Sequence, residues 1–508
     1  MGEGALMAKR SLSRRDFLKV SALGSSSALL SSCSTLDRYF MGDQKNLKNE
    51  VIIIGAGAAG LAAGNVLKKR KIPYKIFEAS SRVGGRVQSL RLENSEGPVA
   101  EMGAEFFESN HSHIFALAKE LSLPTSEVKA TSGLEAHLFS FGGKTYRVKD
   151  LTSRMKTLGD SLRRVRQDLY HNQDAVITYK NTLQFERASY YDSLSLKDLL
   201  ASWSSEVDPL ILSLIEIQAV QHFGLDAADQ SSLMFLSTLD SEGSSLLAGR
   251  PSYRMDGGLS RLMLALYRRV AGVIPDHTVK MNSSLAEVSE KDGTFELIFR
   301  TPKGKENYVT RNVICTVPFS TLRNVSGLKD MLFSETKKSM IQEIAYGTHT
   351  KAMMSFESPF WRKSTKQTPA NLGNFTGDFP SQKMWDSGRG QPVTPQGLLT
   401  LQRGGRASEK VGPQIFEDAI KDLNQFYPAL SLSAIERTEL VNWHNKPWSK
   451  GSVLSYRPGQ FAKYHGAAGE AEYGGRFQFA GEHTSLLYPG TLQGALDSGI
   501  KAAEAVKI

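Results

Sequence analysis

The feature that most restricts the fold lies near the start of the chain, where Glu50-Val51-Ile52-Ile53-Ile54 runs into Gly55-Ala-Gly57-Ala58-Ala-Gly60. A short, continuous apolar run is the pattern of a parallel strand buried on both faces. Helix-forming residues continue from Gly60 to Arg70, so the glycines fall at a strand-to-helix turn. In that setting G-x-G-x-x-G predicts a dinucleotide-binding βαβ unit; without it the motif is weak. Gly55 permits the tight turn, Gly57 lets backbone approach a pyrophosphate, and Gly60 lets helix and strand pack closely. The helix N-terminus then aims unpaired N–H groups at the phosphates. A second strand, Tyr74-Lys-Ile-Phe-Glu78, ends in an acid 23 residues after Gly55. A carboxylate there can accept from a ribose diol and would repel a 2′-phosphate.

The continuation separates flavin from nicotinamide. Glu78-Ala79-Ser-Ser-Arg82-Val-Gly84-Gly85-Arg86 resembles the E-A-x-x-R-x-G-G-R segment of the flavin-containing amine oxidase family, which includes monoamine and polyamine oxidases. The resemblance implies that Arg82 and Arg86 neutralise pyrophosphate and that the paired glycines pass the flavin. Glu101-Met102-Gly103-Ala104-Glu105-Phe106 is similar to the family's stretch beside the flavin, with Glu105 expected in the substrate pocket. Met255-Asp-Gly257-Gly258-Leu259 resembles the turn that returns the chain to the FAD domain. Ser284 to Val288 resembles the strand whose backbone contacts adenine, which makes Leu285 a contact. Alternating Phe295, Leu297 and Phe299, followed by Pro302-Lys-Gly304, read as a hairpin on their own pattern.

Lys351-Ala-Met-Met-Ser-Phe356-Glu-Ser-Pro359-Phe360-Trp361 is similar to the family segment whose lysine holds a water against flavin N5. The resemblance thus marks Lys351 as catalytic; a lone strand lysine otherwise snorkels to solvent. Trp443 to Gly459 resembles the segment carrying Pro447-Trp448 near the dimethylbenzene edge. Phe479-Ala-Gly481-Glu482-His483 and Tyr488-Pro-Gly490-Thr491-Leu492 would close the FAD site, with Gly481 and Glu482 on pyrophosphate or ribitol. A helix starting near Thr491 would favour anionic reduced flavin by roughly 0.3–2 kcal/mol, where about 1.4 kcal/mol is about 30 mV for two electrons. Two departures stand out. The tyrosine pair of monoamine oxidases aligns with Val453 and Thr491, and the covalent flavin cysteine aligns with Ser452. The resemblance therefore implies non-covalent FAD and a longer or wider substrate, such as a polyamine or long-chain amine.

The expected fold class is α/β: a Rossmann-like FAD-binding domain interleaved with a mixed α+β substrate domain. The expected FAD pieces are 49–125, 252–330 and 460–508. The substrate pieces are 126–251, largely helical, and 331–459. Glu216 and His222 fall in the first of these, as surface or capped-core residues or as groups facing a cationic substrate.

The expected chemistry is oxidation of an amine C–N bond, with a hydride passing to flavin N5. An imine results, water hydrolyses it to aldehyde plus ammonia or amine, and dioxygen becomes hydrogen peroxide. An amine of pKa about 10 must first lose a proton, at about 3.4 kcal/mol at pH 7.5. An apolar pocket lowers that cost, and the sequence offers no compelling protein base. An L-amino-acid oxidase is the nearest alternative. It needs a cation for the substrate carboxylate, and Arg457 is a candidate. A desaturase or porphyrinogen oxidase acting on a C–C bond, and a flavin-binding lipoprotein without turnover, are further alternatives.

Ahead of these motifs, Ser13-Arg14-Arg15-Asp16-Phe17-Leu18-Lys19 resembles a twin-arginine export signal, and a short apolar segment runs from Val20 to Leu30. Leu30-Ser31-Ser32-Cys33 resembles a lipoprotein cleavage box. Residues 1–33 then form the signal and 34–48 a polar tether. The expectation is an extracytoplasmic, periplasmic protein anchored through lipid on Cys33, with the twin-arginine machinery, an amine and dioxygen as partners. Cys33 and Cys315 are the two cysteines, too few for a disulfide framework or a cysteine-based zinc site. The net charge of +10 includes five basic and two acidic residues within the first 32. No Lys/Arg run or base-stacking module points to nucleic acid.

Overall fold

The computed structural model describes residues 45–92, 97–170, 176–239, 252–273, 275–392, 394–409 and 411–508. The twin-arginine stretch and Cys33 lie outside them. A five-stranded parallel sheet forms the nucleotide half, in the order Val279–Lys280, Tyr74–Phe77, Val51–Ile54, Asn312–Cys315, Phe477–Phe479. Val51 to Ile54 are buried on both faces, as their unbroken apolar run requires. Cys315 is buried in the adjacent strand, and burial pushes its thiol pKa up.

Helix Ala58–Lys69 follows the glycine turn and lies against the C-terminal helix Leu492–Ala505. Their contact depends on Gly499, where a Cβ would fall 2.1 Å from the Ala59 carbonyl oxygen. The hairpin read from the 295–299 alternation forms as Ser284–Lys291, Thr294–Thr301 and Gly304–Thr310. Phe295, Leu297 and Phe299 face inward, and Phe299 stacks on Phe77 with ring centroids 4.0 Å apart.

A seven-stranded sheet forms the other half, in the order Ile435–Asn442, His349–Phe356, Gly397–Gly404, Lys383–Asp386, Phe375–Gly377, Leu138–Phe141, Lys144–Arg147. Strand alternation gives it two unlike faces. Ala352, Met354, Met384, Leu399 and Leu401 pack on Ile415, Ala419 and Leu423 of helix Gln414–Leu423. The opposite set, Lys351, Met353, Thr400, Gln402, Lys383 and Trp385, follows from the register.

The piece read as largely helical does carry helices, among them Lys156–Tyr170, Leu196–Ser202 and Pro209–Phe223. It also contributes the hairpin Leu138–Arg147, which the sequence reading passed over. Its turn is Gly142-Gly143, both at positive φ (56° and 72°), a two-residue connection that a glycine pair makes readily. No helix among the described residues is long and apolar enough to cross a membrane.

Candidate active site

One cavity of about 740 Å³ runs from the glycine turn to the seven-stranded sheet. Its nucleotide end is lined by Gly55, Gly57, Ala58, Glu78, Ala79 and Leu285. Gly55 has φ 106°, and a Cβ there would lie 2.3 Å from Thr316 Oγ1. Gly57 faces Gly85 in close backbone approach, its ideal Cβ 3.9 Å from the Gly85 Cα, and nothing else lies within 4 Å of that position. Gly60 stands outside the wall; a Cβ on it would strike the Gly55 carbonyl oxygen at 1.9 Å, so its part is helix–strand packing. Glu78 is buried at the strand end. Its Oε2 accepts from Ala56 N–H (2.7 Å) and its Oε1 from Ser80 N–H and Oγ (2.8 and 2.7 Å). Oε1 is thereby filled, and Oε2 keeps one lone pair for a ribose hydroxyl.

The two arginines are placed differently from expectation. The Arg82 guanidinium donates to the carbonyls of Val83, Gly85 and Val87, so it braces its own loop. Burial holds it below the usual arginine range, with Glu78 opposing. Arg86 donates to the Ser452 carbonyl and pairs with Glu482 at 2.8 Å. Both line the cavity, but much of their donor capacity is spent inside the protein before any phosphate arrives. Glu482 also accepts from Gly490 N–H at 3.0 Å, and this ties Gly481 and Glu482 to the start of the C-terminal helix. Thr491 caps that helix, its hydroxyl accepting from Gly494 N–H at 3.0 Å, and Leu492 is its first residue. Gly490, at φ 72°, brings Val453 and Thr491 to the same wall. Ser452 Oγ donates to the Gly347 carbonyl (2.8 Å) and meets His349 Nδ1 (2.6 Å).

At mid-cavity the walls are Gly84, Gly85, Met102, Gly103, Ala104 and Trp448. Gly103 has no room for a side chain, since a Cβ would lie 1.7 Å from the Arg86 carbonyl oxygen. Trp443 donates its indole N–H to the Met102 carbonyl at 2.9 Å and fixes this stretch. Lys351 reaches the same backbone from the sheet. Its Nζ donates to the carbonyls of Gly103 (2.8 Å) and Glu101 (3.2 Å) and to Glu105 Oε2 (3.1 Å). An ammonium has three donors, so all are engaged, and a water bridge would have to displace one.

Glu105 was expected as a pocket residue, and it lines the cavity. Its charge, however, is not free for a substrate. Oε1 accepts from Ser387 Oγ (2.7 Å) and pairs with Arg254 (3.2 Å), and both ion-paired side chains are 3% exposed. Burial alone would raise its pKa, but Lys351 and Arg254 outweigh that and hold it below the usual carboxylate range. Lys351, Glu105 and Arg254 therefore form a buried triad with one net positive charge.

At the far end the wall is built by Gln221, His222, Asn374, Lys383, Trp385 and Gln402. His222, at the end of helix Pro209–Phe223, opens its ring to the cavity space. Burial first, and then Lys383, hold that ring below the usual histidine range, with Glu108 opposing. Glu216 sits on the exposed side of the same helix, away from the wall, and Arg457 is exposed as well. Sequence reading missed Arg254, Lys383 and Gln402. The alternation in Lys383-Met-Trp385 carried the only local signal.

A family model for flavin-containing amine oxidoreductases matches residues 58–507. The chain belongs to that family. Among curated relatives of this amine oxidoreductase, the flavin-dependent L-tryptophan oxidase RebO of Lentzea aerocolonigenes is 24% identical, covering 90% of this chain and 98% of its own. Human flavin-containing amine oxidase B is 24% identical, with 90% and 86% covered. Among solved structures, cyclohexylamine oxidase from Brevibacterium oxydans IH-35A has TM-score 0.74 at 19% identity, covering 90% of this chain and 98% of that one. Putrescine oxidase bound to putrescine has TM-score 0.72 at 19% identity, with 90% and 99% covered. The amine oxidoreductase fold is thus the two-domain FAD arrangement, and the chain is a flavin-dependent amine oxidase.

Proposed function

We propose that this oxidase takes two electrons from the C–N bond of an amine and passes them to dioxygen, giving an imine, then a carbonyl compound, and hydrogen peroxide. The observation that carries this reading is the position of Lys351, which joins the backbone at Glu101 and Gly103 to the sheet face at the far end of one cavity. FAD fits the residues present. Gly57 and Gly85 leave a gap where side chains would stand, Glu78 has accepting capacity for a ribose, and the helices at Ala58 and Leu492 offer N–H groups. When bound, FAD supplies the two-electron acceptor.

The chain's own groups do the rest. Gly57, Gly84, Gly85, Gly103 and Gly490 would line the cofactor's path, and Glu78 and Leu285 would hold its adenosine end. The triad around Lys351 keeps one net positive charge beside Gly103 and would favour negative charge formed next to it. The Lys351 and Lys383 charges beside Trp385 disfavour a further ammonium there and lower the cost of deprotonating the amine. Ser452 offers no thiol for a covalent link, so the FAD is released on denaturation.

The polyamine or long-chain reading rests on the missing tyrosine pair, now seen as Val453 and Thr491 at the wall. Export through the twin-arginine route and lipidation at Cys33 rest on sequence alone. The test of function is oxygen uptake and peroxide release with amines, amino acids and polyamines, beside anaerobic bleaching of the yellow protein. Bleaching by at least one class is the expected result. FAD-loaded protein that no class bleaches would instead be a flavin-binding protein without turnover.

A further inference from the structure

The seven-stranded sheet points a row of three polar side chains at the cavity. Lys351 is in register with Gln402, and Gln402 with Lys383, so all three lie on one face of adjacent strands. The two ends of this row are electrically unlike. Lys351 is paired with Glu105. Lys383 makes no ion pair among the described residues, and its ammonium lies 5.8 Å from the centroid of the Trp385 ring. The carboxylates of the wall are already engaged. Glu105 is held by Lys351 and Arg254, and Glu482 by Arg86. Asp386 is held by Arg362 (2.8 Å), the Trp361 indole (3.0 Å) and Gly388 N–H (2.8 Å). Glu78 sits at the nucleotide end. Among the described residues, a dication entering this end would therefore meet Lys351 and Lys383 without a free counter-charge.

A second feature concerns Gln221. Its amide nitrogen faces two acceptors, Gln382 Oε1 (2.5 Å) and the Gln402 carbonyl (3.0 Å), which fixes the orientation of the amide. Its Oε1 is then buried with no hydrogen-bond partner among the described residues. That oxygen has no surface open to the cavity, so what the wall offers an incoming group is the unpaired cation, with which an anion can pair. An unpaired ammonium in such a wall is costly. Consistent with that, burial and the Lys351 charge press Lys383 below the ordinary lysine range.

We propose that Lys383 anchors the carboxylate of the substrate, so that this oxidase acts on an amino acid. The inference rests on the oxidase reading above. Net, the amino acid loses two electrons and two protons to give an imino acid. Water then adds and ammonium leaves, giving the 2-oxo acid. Dioxygen takes the two electrons and two protons as hydrogen peroxide.

The test uses FAD-loaded full-length protein and pairs matched in side chain: L-phenylalanine with phenethylamine, L-tryptophan with tryptamine, and L-lysine with cadaverine. The amino acid should exceed its amine in kcat/KM by at least tenfold in at least one pair. Lys383→Met should cut that acid-to-amine ratio ten- to a hundredfold, and Lys383→Arg should restore part of it. A readout without turnover is benzoate, a carboxylate with no amine, titrated against the flavin absorbance. Its Kd should rise about tenfold or more in Lys383→Met, with FAD content and Tm confirming a folded variant. If plain amines bleach the flavin and no amino acid does, the oxidase stands and this inference falls. An acid-to-amine ratio and a benzoate Kd both untouched by Lys383→Met overturn it too. If nothing bleaches the flavin, the oxidase reading fails instead, and the benzoate titration alone decides the role of Lys383.

Discussion

The charge of a single side chain is most consequential at Lys351. Together with Glu105 and Arg254 it leaves one positive charge in a nearly dry setting. Reduction of dioxygen begins with a new negative charge beside the flavin. A cation about 5–6 Å from it contributes a few kcal/mol at an effective dielectric near 20. Lys351→Met keeps length and apolar bulk but removes charge and donors. The variant should bind FAD and be bleached by substrate anaerobically, yet be reoxidised roughly ten- to a thousandfold more slowly. Stopped-flow mixing of the reduced enzyme with oxygenated buffer reads that step alone, and an unchanged rate would make Lys351 a bystander.

Glu101 gives a second prediction at this scale. Burial raises its carboxyl pKa to about 7 from 4.5, despite hydrogen bonds from Leu259 N–H and Ser89 Oγ that lower it. Between those values the native state holds a proton that the unfolded chain has lost, so stability falls as pH rises from 4.5 to about 7. Glu101→Gln stays neutral throughout and should flatten that part of a Tm-against-pH curve. A slope equal to that of the parent protein would contradict the assignment.

Among elements, the stretch from Val99 to Gly103 connects the two halves, because its carbonyls receive both Lys351 and Trp443. Gly103→Ala would place a methyl 1.7 Å from the Arg86 carbonyl oxygen, which only backbone movement can relieve. The expected outcome is soluble protein with less than a tenth of the parental FAD content; full loading would show that the strand yields cheaply. The nucleotide half was legible in the sequence because its signals are local. A turn such as Gly55 to Gly60, or a strand-end acid such as Glu78, carries its meaning within a few residues. The direction of a guanidinium was not legible in the same way. Arg82 lies within reach of the loop carbonyls of Val83, Gly85 and Val87, which compete with phosphate, and nothing in the motif says which acceptor it meets. Lys383 and Arg254 were missed for another reason. Their roles come from register and from ion pairing across segments 149 residues apart, as for Arg254 and Glu105, and a linear pattern cannot state either. The hairpin at Gly142-Gly143 was legible and simply outweighed by the helical residues after it.

Over the whole molecule, the export expectation has its own test. Replacing Arg14 and Arg15 by lysine should leave folded, FAD-loaded protein in the cytoplasm. Cys33→Ala should leave export intact while releasing the protein from the membrane fraction. Normal export of the double-lysine variant, followed by fractionation and immunoblotting, would remove the twin-arginine reading. The arrangement of the parallel sheet bears on when such export can occur. Strand Phe477–Phe479 completes that sheet, and helix Leu492–Ala505 seals the helix that follows the first glycine turn. Ribosomes add about 5–20 residues per second, so a 508-residue chain takes roughly 25 to 100 s to make. On the twin-arginine reading, the address at Arg14-Arg15 is displayed for nearly all of that time, while the dinucleotide cradle still lacks its last strand and its lid. A translocation system that departed on sight of the address would carry off an empty, open chain. On that reading the topology calls for a delay between display and departure, set by the arrival of the final thirty or so residues.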